Sequence, residues 1–179
     1  MQKRTMDDLG RINVDQYKAA KKLPLVVVLD NVRSLNNIGS IFRTSDAFRV
    51  ECIYLCGITA TPPHRDIHKT ALGAEESVDW QYFETTALCL QHLKAKGYQI
   101  YAVEQVHGSQ SLEQFTTQQP TAVIFGNEVE GVDETILPLC DGCIEIPQYG
   151  TKHSLNISIA AGIVVWELWR QLVPSHPLL

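Results

Sequence analysis

The sequence predicts an α/β fold built on a mainly parallel sheet flanked by helices. Short runs such as residues 25–29 and 122–125 are apolar at every position, as in strands buried on both faces. Segments with apolar residues at helical spacing alternate with these runs, which is typical of βαβ units. The 179 residues suffice for one domain with its own hydrophobic core.

The elements follow one another in a regular order along the chain. Strands are predicted at residues 25–29, 52–56, 78–83, 98–103, 122–125 and 143–146. Helices are predicted at residues 5–22, 37–48, from 87 to a stop at Gly97, and 155–172, with a helical turn at 136–139. Residues 57–77, which contain Pro62-Pro63, are predicted to form a polar loop. Pro174 limits the last helix.

Charge is divided unevenly between the two parts of the chain. The net charge is -5, which at first argues against a nucleic-acid partner. However, residues 1–69 hold 11 basic and seven acidic side chains, a balance of +4, whereas residues 70–179 have a balance of -9. This division indicates either an anion-binding face in the N-terminal part or ordinary solvated helix faces.

Several classes of protein are disfavoured. Met1 is followed by polar residues, and the most apolar stretch, residues 155–169, is shorter than the roughly 18–20 residues that span a bilayer. We therefore expect a cytoplasmic protein with no membrane partner and with its five cysteines reduced. Cys140 and Cys143 form a C-x-x-C pair without a second pair of ligands, so we expect no metal.

A first polar cluster, residues 31–44, spans the end of a predicted strand and the start of a helix. Asn36 or Asn37 could cap that helix. Asn36, Ser40 and Arg43 share one helix face, opposite the apolar face. A helix N-terminus near an arginine suits a phosphate, and the alternative is an ordinary cap with a surface arginine.

A second cluster, residues 125–132, places two glycines around two carboxylates directly after a buried strand. Gly126 would allow a ligand to approach the backbone closely. Glu128 would lie at the edge of the sheet, where its carboxylate could accept hydrogen bonds from a substrate. The alternative is a turn with solvated acids.

A third cluster, residues 146–158, leads from a strand through a loop into a strongly apolar helix. Ser154 and Asn156 lie at the start of that helix, and Ser is a good N-cap. An amide buried there without a partner would cost about 1–3 kcal/mol, so Asn156 should have one.

Together the three clusters resemble the three sequence motifs of the SpoU (TrmH-type) RNA ribose 2'-O-methyltransferases of the SPOUT superfamily. The resemblance extends from about residue 25 to residue 172, and residues 71–75 also resemble a family segment. It implies a trefoil knot near the C-terminus, S-adenosylmethionine as methyl donor and tRNA or rRNA as substrate. It also implies a homodimer whose sites use residues of both chains.

The resemblance carries over to particular residues. The positions that match the family's catalytic residues are Asn37, Arg43, Glu128, Ser154 and Asn156. The cofactor adenosine would lie against Gly126, Ile146 and Leu155, and near Val103 or Glu104. With the basic excess of the N-terminal part, it places RNA at Lys21, Lys22, Arg33 and Arg43.

The resemblance also divides the chain. Residues 1–23 would be a basic helical segment, residues 24–173 a SPOUT-like catalytic domain and residues 174–179 a tail. The basic segment would substitute for the separate N-terminal RNA-binding domain of some relatives.

Three other functions stay open at this point. One is a non-catalytic RNA-binding protein on the same fold, and a second is a methyltransferase of the superfamily that uses another acceptor atom. The third is an α/β nucleotide-binding oxidoreductase, which the missing G-x-G-x-x-G pattern disfavours. The last helix, with Trp166 and Trp169, is apolar nearly all round, which fits core packing plus a dimer contact.

Overall fold

The computed structural model describes residues 1–5, 8 and 10–173. Its strands are β1 (Leu23–Asp30), β2 (Val50–Cys56), β3 (Trp80–Phe83), β4 (Gln99–Val103), β5 (Gln110–Ser111), β6 (Thr121–Phe125) and β7 (Gly142–Glu145). Its helices are α1 (Val14–Ala19), α2 (Leu35–Ala47), α3 (Arg65–Ala71), α4 (Ala74–Ser77), α5 (Thr86–Ala95) and α6 (Ile157–Leu172). A 3-10 turn covers Leu137–Leu139.

One seven-stranded sheet organises the described part of the chain, in the order β3-β2-β1-β6-β4-β7-β5. All neighbouring strands within it pair in parallel. The predicted α/β class with a mainly parallel sheet is therefore confirmed. Strand β5, which has only two residues, is too short to show in a sequence pattern.

Both faces of the sheet are covered, which explains the uninterrupted apolar runs. Leu25, Val27 and Leu29 of β1 face a core cluster that includes residues of α2 and α6. Val26 and Val28 face a second cluster, which includes residues of α5. Alternate side chains of one strand thus enter two different cores.

The N-terminal helix is shorter than predicted. The prediction covered residues 5–22, but α1 contains only Val14–Ala19. Gly10 has a φ of +57°, and Asn13 forms a capping box with Gln16, so the helix begins after Asn13. Leu9, which the predicted helix included, lies outside the described residues, as do Pro174 and the predicted tail over residues 174–179.

The prediction of a loop over residues 57–77 was wrong, because α3 and α4 lie within it. His64 caps α3 by accepting a hydrogen bond from the Asp66 N–H, and Leu72 ends it with a left-handed φ of 54°. Helix α3 packs closely on α2 at Gly39, where a β-carbon would lie 2.2 Å from the Ile67 carbonyl oxygen. Tertiary packing thus stabilises a polar segment that lacks a clear helical period.

The order of the strands brings the three polar clusters to one edge of the sheet. Strands β1, β6, β4 and β7 are adjacent and parallel, so the loops after them all leave from the same edge. Ligands of such sheets bind at this carboxyl edge, where the order of strands reverses. The trefoil knot implied by the family resemblance stays a prediction.

Two further findings concern the helices and the thiols. No helix in residues 10–173 is long and apolar enough to cross a bilayer. All five cysteines are free thiols. Burial raises the pKa of Cys140 to about 12, so its thiol stays protonated at neutral pH.

Candidate functional site

A chain of hydrogen bonds joins the three polar clusters. The Glu128 carboxylate accepts hydrogen bonds from the Arg33 N–H at 3.0 Å and the Ser34 N–H at 2.9 Å. It also accepts one from Asn37 Nδ2 at 3.1 Å. Asn156 Nδ2 in turn donates to Asn37 Oδ1 at 3.2 Å. Residues more than 90 positions apart in sequence therefore form one network at the sheet edge.

The environment of Glu128 favours its ionised form. Partial burial raises the pKa of this carboxyl, but the hydrogen bonds from the Arg33 and Ser34 backbone and from Asn37 outweigh it. The pKa of Glu128 is consequently lowered from its ordinary value of 4.5. The carboxylate acts as a fixed acceptor that fastens the second cluster to the start of α2.

The helix caps differ from those predicted. Ser34 caps α2 by accepting a hydrogen bond from the Asn37 N–H, so neither Asn36 nor Asn37 does. Asn156, not Ser154, caps α6, and its Oδ1 accepts from the Ser158 N–H at 2.9 Å. The amide of Asn156 has the partners that were expected, but the residue is exposed and not buried.

The loop after β6 folds back on itself. Asn127 and Gly131 exchange two backbone hydrogen bonds of 2.9 Å. A β-carbon on Gly126 would lie 2.0 Å from the Gly131 carbonyl carbon and 2.1 Å from the Val132 nitrogen. Gly126 is therefore required by the chain's own backbone, whereas the sequence suggested close approach of a ligand.

A cavity of about 610 Å³ opens beside this network. All five residues predicted to contact the cofactor line it, namely Val103, Glu104, Gly126, Ile146 and Leu155. Glu128, Ser154 and Asn156 lie on its wall as well. The structure thus brings these eight predicted residues together in one place, and their roles stay predictions.

Two carboxylates fix the loop after β6, a role that sequence reasoning missed, since it placed Glu104 only near the cofactor and assigned Asp30 nothing. Glu104 accepts hydrogen bonds from the Gln105 N–H at 2.9 Å and the Val132 N–H at 3.1 Å. Asp30 is buried and accepts from the Asp133 N–H at 3.0 Å. The position of Asp30 at the end of a wholly apolar strand could have indicated this role, since a carboxylate buried there needs hydrogen-bond donors.

Arg43 lies outside this cavity. It lines a separate groove of about 840 Å³ with Arg11 and Asp46, between the N-terminal segment, α2 and the turn from α3 to α4. Its side chain is exposed and makes no hydrogen bond or ion pair with any other described residue. Within one chain, the predicted catalytic arginine and the predicted cofactor residues therefore occupy different surfaces.

The predicted RNA-binding cations differ in their availability. Lys21 and Arg33 are exposed. Lys22 instead donates hydrogen bonds to backbone carbonyls at the end of α1, and its Nζ lies 4.5 Å from the centre of the Tyr17 ring. Burial lowers the pKa of Lys22, consistent with a lysine drawn into structure. Lys22 therefore stabilises the end of α1, a structural role that the sequence pattern did not indicate.

Candidate metal ligands do not converge in the part of the chain that the structure describes. There, no group of three or more His, Cys, Asp or Glu side chains is arranged to hold a metal ion.

Comparison with known proteins identifies close relatives of this chain. It is 31% identical over 171 residues to the tRNA (guanosine(18)-2'-O)-methyltransferase of Thermus thermophilus, covering 96% of this chain and 86% of the relative. It is also 31% identical over 150 residues to the 23S rRNA (guanosine-2'-O-)-methyltransferase RlmB of Neisseria meningitidis, covering 84% of this chain and 60% of that protein.

Solved structures support the same relationship and confirm the predicted resemblance. The TrmH/SpoU tRNA modifying enzyme of A. aeolicus superposes with a TM-score of 0.79 at 29% identity, covering 88% of this chain and 81% of its own. The AdoMet-bound rRNA methyltransferase of Sinorhizobium meliloti gives 0.78 at 28% identity, covering 89% and 60%. The family model described as the SpoU rRNA Methylase family matches residues 24–166. The chain therefore belongs to the SpoU rRNA methylase family.

Proposed function

We propose that this protein is an S-adenosylmethionine-dependent RNA methyltransferase that methylates a ribose 2'-hydroxyl of tRNA or rRNA. The observation that carries the proposal is the network of Glu128, Asn37 and Asn156 on the rim of the cavity. The relatives named above as tRNA and rRNA 2'-O-methyltransferases support this acceptor.

The cavity fits the methyl donor. Its volume of about 610 Å³ lies within the range of small-molecule sites, roughly 300–1,000 Å³. The wall offers backbone groups at Gly126, Ile146 and Leu155, which suit the hydrogen-bonding edge of an adenine ring. When bound, S-adenosylmethionine supplies a methyl group on a sulfonium sulfur, which the ribose oxygen takes in line. We expect no metal, since the donor is already activated.

The residues of the chain must make the 2'-hydroxyl a better nucleophile. Arg43 is a poor base, because a guanidinium has a pKa above about 12 and stays protonated. We assign Arg43 two other tasks, binding the adjacent phosphate and stabilising negative charge that develops on the oxygen. Ser154 would hydrogen-bond near the hydroxyl, while Asn37, Glu128 and Asn156 position the ribose and the loops.

A homodimer would complete the site. Arg43 and the cavity occupy different surfaces of one chain, so a second copy must bring them together if both act on one nucleotide. Four apolar side chains are exposed at spacings of four, four and three residues along and just before α6. They are Leu155 (38% exposed), Ile159 (56%), Ile163 (39%) and Trp166 (48%). We propose that the second copy packs on this α6 stripe.

The activity is tested by methyl transfer from labelled donor to bulk tRNA and rRNA. We expect Arg43→Ala to lower the rate on the order of 100-fold, as for loss of a group that stabilises developing charge. Its affinity for S-adenosylhomocysteine, measured by calorimetry, should be unchanged. Lys94→Ala is the control, because this exposed cation lies on α5, away from the cavity and from the α6 stripe. Equal rates for wild type and Arg43→Ala would contradict the assigned role.

Two further measurements separate the alternatives. A folded protein that binds no S-adenosylhomocysteine would support the non-catalytic RNA-binding function and overturn the proposal. Mass spectrometry of nucleosides from treated RNA distinguishes a 2'-O-methyl group from a methyl group on a base, and thereby tests the acceptor atom.

Mixing of subunits tests the shared site. Arg43→Ala and Glu128→Ala proteins, each of low activity alone, should gain activity when they are mixed and allowed to exchange subunits. The reason is that one of the two sites of a mixed dimer then holds both native residues. If mixing restores nothing although the subunits exchange, Arg43 acts within its own chain.

A further inference from the structure

A second groove lies apart from the cavity, between the loop after β2, helices α3 and α4, and the start of β3. Its volume is about 460 Å³. None of the residues that line it lines the cavity of the candidate site. Its main lining residues are Pro62, Pro63, His64, His68, Glu75 and Trp80.

Glu75, on the wall of this groove, carries a buried acceptor that no described residue provides with a donor. Its side chain is only 10% exposed, and one carboxylate oxygen, Oε1, lies 2.5 Å from His68 Nδ1. The other oxygen, Oε2, is buried and has no hydrogen-bond partner among the described residues. A buried carboxylate oxygen without a donor is unfavourable and rare in native proteins, so it points to a ligand that brings an N–H or O–H group.

His64 presents a donor to the same groove. Its Nδ1 accepts a hydrogen bond from the Asp66 N–H at 3.1 Å, so this nitrogen carries no proton. In the neutral ring the proton is then on Nε2, which becomes a donor. Trp80 adds a partly buried indole to the groove wall. The wall of one groove thus includes an acceptor residue, a donor residue and a flat apolar ring.

We propose that this groove binds an unpaired purine base of the RNA substrate. A base offers what the groove lacks: an N–H donor for Glu75, an acceptor for His64 and a flat face that stacks on Trp80. Purines cover more of an indole than pyrimidines do. The carboxylates of Glu75 and Glu76 disfavour a phosphate in this place.

The position of the groove fits an RNA strand that is already bound near Arg43. Glu76 lines both this groove and the groove that contains Arg43, so the two are neighbours across α4. Arg65, also on the wall, can pair with the phosphate attached to the bound nucleotide. The inference thus rests on the proposed function, since it names a second nucleotide site for the same RNA.

Nucleotide titrations followed by NMR test the groove without any methyl transfer. The indole N–H signal of Trp80, assigned with Trp80→Phe, is followed while GMP, AMP, CMP, UMP or ribose 5-phosphate is added. We expect GMP and AMP to shift it and to bind at least fivefold more tightly than ribose 5-phosphate. No shift with any nucleotide, or an equal response to ribose 5-phosphate, overturns the proposal.

Variants identify the groups responsible. Glu75→Gln and His64→Asn should each weaken purine nucleotide binding at least fivefold. Asn also caps helices well, so His64→Asn keeps the start of α3 while it removes the ring. Glu84→Gln is the control, because this exposed carboxylate lines neither groove, and it should bind like wild type. Unchanged binding in both groove variants overturns the proposal.

Kinetics with bulk tRNA connect the groove to the reaction. Glu75→Gln should raise KM at least fivefold with little change in kcat, because the groove holds a nucleotide other than the one methylated. An unchanged KM would show that the groove does not contact the substrate RNA. Nucleotide binding without methyl transfer would instead overturn the proposed activity and leave the groove intact.

Discussion

At the scale of single residues, Glu128 connects sequence, structure and proposed chemistry. Its carboxylate accepts from two backbone N–H groups at the start of α2 and from Asn37, which in turn meets Asn156. Glu128, Asn37 and Asn156 lie on three segments that no local pattern joins. We infer that Glu128 holds the ribose-facing loops in one arrangement and takes no proton during the reaction.

Glu128→Gln tests this role. An amide offers one acceptor in place of two and brings donors that face the Arg33 and Ser34 N–H groups, so we expect a loss of about 1 kcal/mol in the free energy of unfolding. The rate of methyl transfer should fall with it. Glu130→Gln is the control, because the Glu130 carboxylate is exposed and forms no hydrogen bond with the described residues. Urea denaturation at neutral pH measures the free energy of unfolding of both variants, and the methyl-transfer assay measures their rates.

The stability difference between wild type and Glu128→Gln should depend on pH. The folded-state pKa of Glu128 is lowered, so its contribution to stability is full above the ordinary pKa of 4.5 and is lost as the pH falls through the folded pKa. The difference in urea midpoint between wild type and Glu128→Gln should therefore be constant down to about pH 5 and shrink below it. A difference that grows on acidification contradicts the assignment.

At the scale of secondary structure, the sequence predicted elements with a strong apolar period and missed those without one. The strands β1 and β6 follow from their uninterrupted apolar runs. Helices α3 and α4 were missed because their residues are mostly polar and their stability comes from packing on α2. The caps were misplaced for a related reason, since Ser34 and Asn37 are equally good caps in sequence and only the fold selects one.

Gly39 is expected to be essential to the contact between α2 and α3. A β-carbon there would lie 2.2 Å from both the Ile67 carbonyl oxygen and Thr70 Oγ1, so Gly39→Ala should destabilise the protein by roughly 1–3 kcal/mol. Gly162→Ala in α6 is the control, because nothing lies within 4 Å of the place that a β-carbon would take there, and helix propensity favours Ala by about 1 kcal/mol. Thermal unfolding should move in opposite directions for the two variants.

At the scale of the whole molecule, the net charge of -5 hides the basic N-terminal part. The structure separates the cations of that part by their surroundings. Lys21→Glu should weaken binding of bulk tRNA and flatten its dependence on salt, because an exposed phosphate contact is lost. Lys22→Glu should mainly lower stability, because Lys22 is bonded to the end of α1. Binding at several salt concentrations, together with urea denaturation, distinguishes the two effects.

The whole arrangement also shows where sequence reasoning stops. The family resemblance assigned Asn37, Glu128 and Asn156 to one site, and the structure joins them by hydrogen bonds. The resemblance assigned Arg43 to the same site, but Arg43 lines another groove of the chain. The rotation of a helix about its axis decides which side chain reaches a given site, and a resemblance does not show that rotation. The relation between one chain and a second copy is a property of the surface, which the apolar period of α6 only suggested.

The exposed apolar residues of the α6 stripe should determine whether the protein is a dimer. Ile163 is apolar and exposed, and Ile163→Glu places a charge in the middle of the stripe, where burial against a second copy would be unfavourable. We expect wild type to sediment as a dimer at micromolar concentration and Ile163→Glu as a folded monomer. Leu88→Glu on α5 is the control, since this leucine is exposed to a similar extent on a helix that packs on the opposite core. If Arg43 acts across the interface, the monomer should still bind S-adenosylhomocysteine but transfer no methyl group. A monomeric variant that retains full activity would show that each chain carries a complete site.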